Sequence, residues 1–166
     1  VFRLHDFIRA KRAGQITNPN NTGNPNNQGN WGTNTVLNFP NFIYPNAEGY
    51  NGATNCGFPM NPHDFNLMAR DVHRLTAETA RFNRLNTIAS NYCLSTEQAM
   101  KFTSLLESED NRLSFLKNAY TRVFDIGNYR QAAQLFSRQI NQEQLMSFLN
   151  SRTDMGGFSQ NNQCEI

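Results

Sequence analysis

The sequence predicts an all-α fold of about six antiparallel helices in helix-pair repeats, preceded by an irregular Asn-rich arm. Apolar residues recur at helical spacing from Phe65 to Leu149, and neither Pro nor Gly interrupts the segments that carry them. Short stretches also recur. Asn83-Arg84-Leu85 returns 28 residues later as Asn111-Arg112-Leu113, which sets Leu85, Ile88 and Tyr92 against Leu113, Leu116 and Tyr120. A weaker third copy places Leu145 and Phe148 against Leu113 and Leu116 at a spacing of 32. A unit of about 30 residues holding two helices has the size of a solenoid repeat.

The first helix starts at Asn61-Pro62, a cap followed by Pro at the first helical position, and runs through Phe65, Met68, Val72 and Leu75. The second covers roughly residues 79–90, with Phe82, Leu85, Ile88 and Ala89 on one face. Ser95 and Gln98 form a capping box for the third, which carries Ala99, Phe102, Leu105 and Leu106. The fourth is expected from about Glu109 to Phe124, with Leu113, Leu116, Tyr120 and Val123 inward. Gly127 suits a left-handed helix stop, and a fifth helix is expected from Asn128 through Tyr129, Ala132, Ala133 and Phe136. The last starts at Asn141 and carries Leu145, Phe148 and Leu149. The expected core is Leu85, Ile88, Phe102, Leu105, Leu113, Leu116, Tyr120, Phe136, Leu145 and Phe148. Short loops make sequential neighbours antiparallel.

The apolar fraction, 38%, is low for 166 residues, and the shortfall sits outside this helical stretch. Residues 1–16 fit the end of a truncated preceding element, readable as helix or strand. Residues 17–60 divide into an Asn/Gly/Pro-rich linker, with Thr17 to Asn38 uncharged, and an aromatic arm from Phe39 to Met60. The linker buries too little apolar surface to offset its ordering entropy. The arm lacks periodicity, and its aromatics either dock on the helical domain or form a sticky linker. The helical domain spans 61–150, and 151–166 is expected to be a flexible tail. The chain opens at Val1 rather than Met, so a processed start or a longer parent is expected, and the missing signal peptide says little about compartment.

Four stretches resemble the domain of unknown function 4476 family: CGFPMNPHDF (Cys56 to Phe65), NRLNTIASNYCLSTEQ (Asn83 to Gln98), EDNRLSFLKNAYTRVFDIGNY (Glu109 to Tyr129) and QLMSFL (Gln144 to Leu149). The likeness covers over half the chain, and its motifs are fold signals. Arg84 and Arg112 stand where Lys is frequent in the family, and Leu75 to Phe82 replaces a shorter Phe-Asp turn. The resemblance implies an envelope protein of Bacteroidetes-type bacteria and transfers no functional residue.

Net charge is +2, and only Arg3, Arg9, Lys11 and Arg12 form a basic cluster. A nucleic-acid surface would need that cluster beside Trp31, Phe39 and Tyr44, but a long linker separates them, so nucleic acid is not expected. No apolar run approaches the ~20 residues that cross a bilayer. Phosphate-binding glycine loops are absent. Glu107, Glu109 and Asp110 suit the dipole of the fourth helix better than a cation site. His63, Asp64, Asp71 and His73 bring carboxylates near imidazoles, but zinc wants three or four convergent ligands. A metal-dependent enzyme using His63, Asp64 and His73 is therefore the alternative, and solvated surface histidines are the favoured reading. Cys93 as a catalytic thiol lacks any supporting context.

All three cysteines lie outside predicted helix interiors. A Cys56–Cys93 disulfide would pin the aromatic arm to the turn between the second and third helices and leave Cys164 over. For the 37 positions enclosed, the chain-entropy model gives about 4 kcal/mol. Such a bond belongs in an oxidising compartment; the alternative is three free thiols in the cytosol. Together these features lead to a non-enzymatic helical binding or scaffold module, periplasmic, outer-membrane-associated or secreted. It is expected to be monomeric and without cofactor, with a protein or glycan partner.

Overall fold

The computed structural model describes residues 37–152, so the expectations for 1–36 and for 153–166, Cys164 among them, lie outside the described residues. Five α-helices and one long 3₁₀ segment make up the fold: α1 (Pro62–Arg74), α2 (Glu78–Asn91), α3 (Thr96–Thr103), α4 (Glu109–Ala119), the 3₁₀ segment (Ile126–Leu135) and α5 (Gln139–Asn150). No sheet forms among the described residues. One parallel bridge joins Leu94 to Val123, the connectors that follow α2 and α4.

The elements alternate between two layers. Helices α2, α4 and α5 pack side by side in one, while α1, α3 and the 3₁₀ segment make the other. Each pair contributes one member to each layer, as helix-pair repeats require. Between the layers lie fully buried side chains, including Leu85, Phe102, Leu116, Tyr120, Tyr129 and Leu145. Of the ten expected core residues, eight are buried; Leu105 and Phe148 are half-buried against the core. Leu106 and Leu149, one position on, are the buried ones.

The local signals act much as their chemistry dictates. The Asn61 side chain accepts from the Asp64 N–H at 2.9 Å, with Pro62 at the first helical position of α1. Ser95 and Gln98 close the capping box of α3 in both directions. Ser108 caps α4 through the Asn111 N–H.

Four expectations are corrected. Helix α4 ends at Ala119 and passes into a short 3₁₀ turn, Tyr120–Arg122, rather than running to Phe124. The fifth helix is 3₁₀ throughout and starts at Ile126. In a three-residue turn, i and i+3 eclipse, and the residues it buries are Ile126, Tyr129, Ala132 and Leu135, each three apart. The α-type set Tyr129, Ala132, Ala133 and Phe136 mixed that face with another. Gly127 is not a helix stop; among the described residues only Gly49 is a glycine at positive φ, 75°. Gly127 serves close approach instead, because a Cβ there would lie 2.8 Å from the Tyr50 hydroxyl that its N–H donates to. The last helix also begins earlier than expected, at Gln139.

Candidate functional site

Polar side chains of the array converge at the junctions between helix pairs. At the first junction, Arg81 donates from Nε to the Leu75 carbonyl (2.6 Å) and from its terminal nitrogen to the Leu105 carbonyl (3.2 Å). Three residues earlier, the Glu78 carboxylate accepts from the N–H groups of Glu107 and Ser108 and from the Asn111 side chain. The second junction repeats the same bonds and adds one from a hydroxyl. Arg112 donates to the carbonyls of Leu106 (2.7 Å) and Leu135 (3.0 Å). Glu109 accepts from the N–H groups of Ser137 and Arg138, from the Ser137 hydroxyl and from the Asn141 side chain. Each clamp satisfies carbonyls and N–H groups that helix ends leave without partners.

These clamps define the true repeat. Leu75-x-x-Glu78-x-x-Arg81 recurs as Leu106-x-x-Glu109-x-x-Arg112 after 31 residues, and as Phe136-x-x-Gln139-x-x-Gln142 after 30 more. Arg112 therefore corresponds to Arg81, not to Arg84, and the register of 28 read from Asn-Arg-Leu is wrong by three residues. In the corrected register Leu85 matches Leu116, both fully buried, whereas the old one matched exposed Tyr92 to buried Tyr120. Glu109 and Asp110 stand in the first turn of α4, where their charge suits the helix dipole as expected, and the Glu109 carboxylate has a second role, reaching forward to the next junction.

Hydrogen bonding lowers both carboxylates. The Ser137 hydroxyl, then the Asn141 amide and the Ser137 and Arg138 N–H groups, hold the Glu109 pKa down at about 2 against mild desolvation. At Glu78 desolvation is the largest influence and pulls upward, but the Glu107 N–H, the Asn111 amide, the Ser108 N–H and the charge of Arg81 together lower it. A further carboxylate, fully buried Asp125, accepts from the Thr96 N–H at 2.6 Å and from the Asn128 side chain at 2.8 Å. It ties the first turn of α3 to the start of the 3₁₀ segment, a role that nothing in its sequence neighbourhood announced.

The sequence-predicted site residues fare differently. Cys56 and Cys93 are joined, with Cα atoms 5.7 Å apart. The bond is flanked by hydrogen bonds from Asn55 N–H to the Val123 carbonyl (3.1 Å) and from Met60 N–H to the Cys93 carbonyl (2.8 Å). His63 and His73 are exposed on α1. Asp64 is occupied at the helix cap, where it accepts from the Asn61 amide, and Asp71 faces Arg74 at 3.8 Å. Among the described residues, no group of three or more His, Cys, Asp or Glu could hold a metal ion. No helix among them is long and apolar enough to cross a membrane.

Residues 39–44 lie against α1, α3 and the 3₁₀ segment, and Asn55 to Met60 against the connectors that follow α2 and α4. Phe39 meets Phe65 of α1 with ring centroids 5.9 Å apart, and the Lys101 ammonium of α3 sits 5.5 Å over Phe39 and 5.1 Å over Tyr44. Lys101 is itself held by Glu97. Gln134 of the 3₁₀ segment grips the backbone of Ile43 on both sides, accepting from its N–H and donating to its carbonyl, each at 3.0 Å. The Tyr44 hydroxyl donates to the Pro40 carbonyl at 2.6 Å, closing the arm on itself. Burial and then the charge of Glu97 raise the pKa of that hydroxyl. Tyr50 packs edge-on against Phe124, 5.9 Å between centroids.

A family model described as a domain of unknown function (DUF4476) matches residues 59–149. No curated protein and no solved structure gives a match.

Proposed function

Because the chain belongs to the DUF4476 family, whose model spans its helical array from end to end, we propose that it is a non-enzymatic binding or scaffold module working outside the cytoplasm. The observation that carries the first half is the use made of its polar groups. Glu78, Arg81, Glu109 and Arg112, which in an enzyme could serve substrate, are spent on fixing one helix pair against the next. Rigid stacking of this kind presents a broad surface in a fixed geometry, which is what repeat arrays offer to partners. The partner is a protein or a glycan of the envelope.

The Cys56–Cys93 bond supports the second half, since cytosolic reductants keep such pairs as thiols. The resemblance to envelope proteins points the same way. Thiol trapping in intact producing cells, followed by fractionation, tests the compartment. Cys56 and Cys93 should escape alkylation and the chain should fractionate outside the cytosol; an alkylated pair in the cytosol would sink that half. Elemental analysis of the purified protein tests the other. A stoichiometric metal, with an activity lost on chelation, would return the molecule to the enzyme reading through His63, Asp64 and His73.

A further inference from the structure

We infer that Asn51 is a site of spontaneous covalent modification: the Gly52 backbone nitrogen attacks its side-chain amide, and the isoaspartate that results loosens the hold of Tyr50 on the start of the 3₁₀ segment. The reaction needs only water, so it goes beyond the module reading and does not depend on it.

Asn51-Gly52 is the only Asn-Gly step in the 166 residues. Glycine matters at the second position because no Cβ blocks the approach of its nitrogen to the neighbouring amide carbon, and its backbone turns easily into the attacking geometry. Asn38, Asn41, Asn46 and Asn55 stand before Phe39, Phe42, Ala47 and Cys56, all of which carry a Cβ, and Asn61 stands before Pro62, which has no N–H. Asn51 and Gly52 are both exposed and lie outside any helix. Neither the Asn51 amide nor the Gly52 N–H has a hydrogen-bond partner among the described residues, so nothing holds the amide away from the nitrogen. Asn46 and Asn55, by contrast, have their side chains engaged by the Glu48 N–H and the Tyr120 carbonyl.

The fold itself demands this glycine. A Cβ at residue 52 would lie 2.6 Å from Cζ of the Tyr50 ring. That ring is pinned: its hydroxyl donates to the Ala53 carbonyl and accepts from the Gly127 N–H, each at 2.9 Å, and its ring packs edge-on against Phe124. The residue that lets Tyr50 reach Gly127 is therefore also the one that makes Asn51 labile.

In the first step the Gly52 nitrogen bonds to Asn51 Cγ, the Cγ–Nδ2 bond breaks, and the Gly52 proton leaves with the amide nitrogen as ammonia. Water then opens the cyclic imide at either carbonyl. Opening at Cγ gives aspartate on an unchanged main chain. Opening at the main-chain carbonyl gives isoaspartate, in which the chain runs through Cβ and is one carbon longer. Nothing is oxidised or reduced. Both products place a carboxylate in the loop, but only isoaspartate shifts Gly52 against the Tyr50 phenol and so pulls the hydroxyl from Gly127.

The test incubates the full chain at neutral and mildly alkaline pH and follows it by peptide mapping with mass spectrometry, with isoaspartate located by enzymatic methylation. Asn51 should convert roughly tenfold or more faster than Asn38, Asn41, Asn46 or Asn55. Its rate should rise with pH, because attack requires loss of the Gly52 amide proton, and Asn51→Gln should suppress it. Amide exchange at Gly127 reads the consequence. Exchange should quicken about fivefold or more in the isoaspartyl fraction, the worth of one hydrogen bond, and similarly in Tyr50→Phe. It should stay at the level of fresh protein in Asn51→Asp, which carries the charge without the longer chain. Conversion at Asn51 no faster than at the other four asparagines overturns the site. An isoaspartyl fraction that keeps Gly127 as protected as in fresh protein, or an Asn51→Asp variant that loses protection equally, overturns the loosening by chain length.

Discussion

Where α2 and α4 begin, a glutamate and an arginine three residues apart tie one helix pair to the next; where α5 begins, Gln139 and Gln142 occupy those positions. The first kind of junction keeps both halves of the device and the second keeps only one. Gln142 preserves the backward bond, donating to the Phe136 carbonyl at 2.8 Å as Arg81 and Arg112 donate to Leu75 and Leu106. The forward bonds are not kept. Glu78 and Glu109 reach into the following turn, whereas Gln139 donates to Glu143 of its own helix. The backward bond therefore closes a helix pair on itself, and the forward bonds set how the next pair is stacked. A neutral glutamine suffices for the backward bond, whereas the forward bonds, where several N–H groups are gathered onto one acceptor, are made by carboxylates.

The largest effect tests whether the clamps stand on a shared core. Leu116 is fully buried in α4, the helix that carries the second clamp and receives the first. Leu116→Ala should lower unfolding free energy by about 2–5 kcal/mol in urea titration. A loss within surface range, under roughly 0.5 kcal/mol, would mean that α4 is not the common support.

Next come the two forms of the backward bond. Arg112→Ala orphans two half-buried carbonyls, Leu106 and Leu135, and should cost about 2–3 kcal/mol. Gln142→Ala orphans one and should cost about 1 kcal/mol. Arg112→Lys should rescue little, since an ammonium cannot span two carbonyls in a planar fork. Equal costs for Arg112→Ala and Gln142→Ala would erase the distinction between the junctions.

The forward bonds are best addressed by pH. Glu109 is lowered in the fold from an ordinary 4.5 to about 2, so its contribution to stability is fully present above 4.5 and is lost as pH falls toward 2. Glu78 shifts in the same direction, with burial opposing its hydrogen bonds. The urea midpoint of the wild type should fall through that window more steeply than that of Glu109→Gln, and the two curves should converge at its acid end. Parallel curves would show that the carboxylate bonds add nothing.

Much of the fold was legible in sequence because its signals are local. Asn61-Pro62 and the Ser95–Gln98 box act within one turn, and helical spacing found most of the buried face. The clamp was harder to see for a physical reason. Its residues are spaced to put carbonyl, carboxylate and guanidinium within reach across a junction, so they appear as Leu-x-x-Glu-x-x-Arg with gaps. The contiguous Asn-Arg-Leu is more conspicuous, yet Arg84 is exposed and makes no such junction. The 3₁₀ segment hid in a similar way, since a period of three differs from an α-helical face only when sustained over Ile126, Tyr129, Ala132 and Leu135 together. The arm's aromatics announced burial, but which backbone would be gripped depended on Gln134, 91 residues away.

The smallest effect separates the junctions most cleanly. Gln139→Glu restores the sequence of a forward clamp at α5 without supplying, among the described residues, a following turn for it to hold. Three local terms then decide the outcome. A carboxylate in the first turn gains a few tenths of a kcal/mol from the helix dipole. It loses a similar amount by standing four residues from Glu143, where like charges repel, and it gives up the Gln139–Glu143 hydrogen bond at 2.8 Å. The net should lie within about 0.5 kcal/mol of zero and lean toward destabilisation, measured by the urea midpoint at neutral pH. Glu109→Gln, the reverse exchange at the second junction, should destabilise at the same pH because Ser137, Arg138 and Asn141 lose their charged acceptor together. If Gln139→Glu instead stabilised by more than about 1 kcal/mol, the new carboxylate would have found N–H donors ahead of α5. The glutamine junction would then be an unfilled clamp, and the contrast between the junctions would be one of occupancy rather than of design.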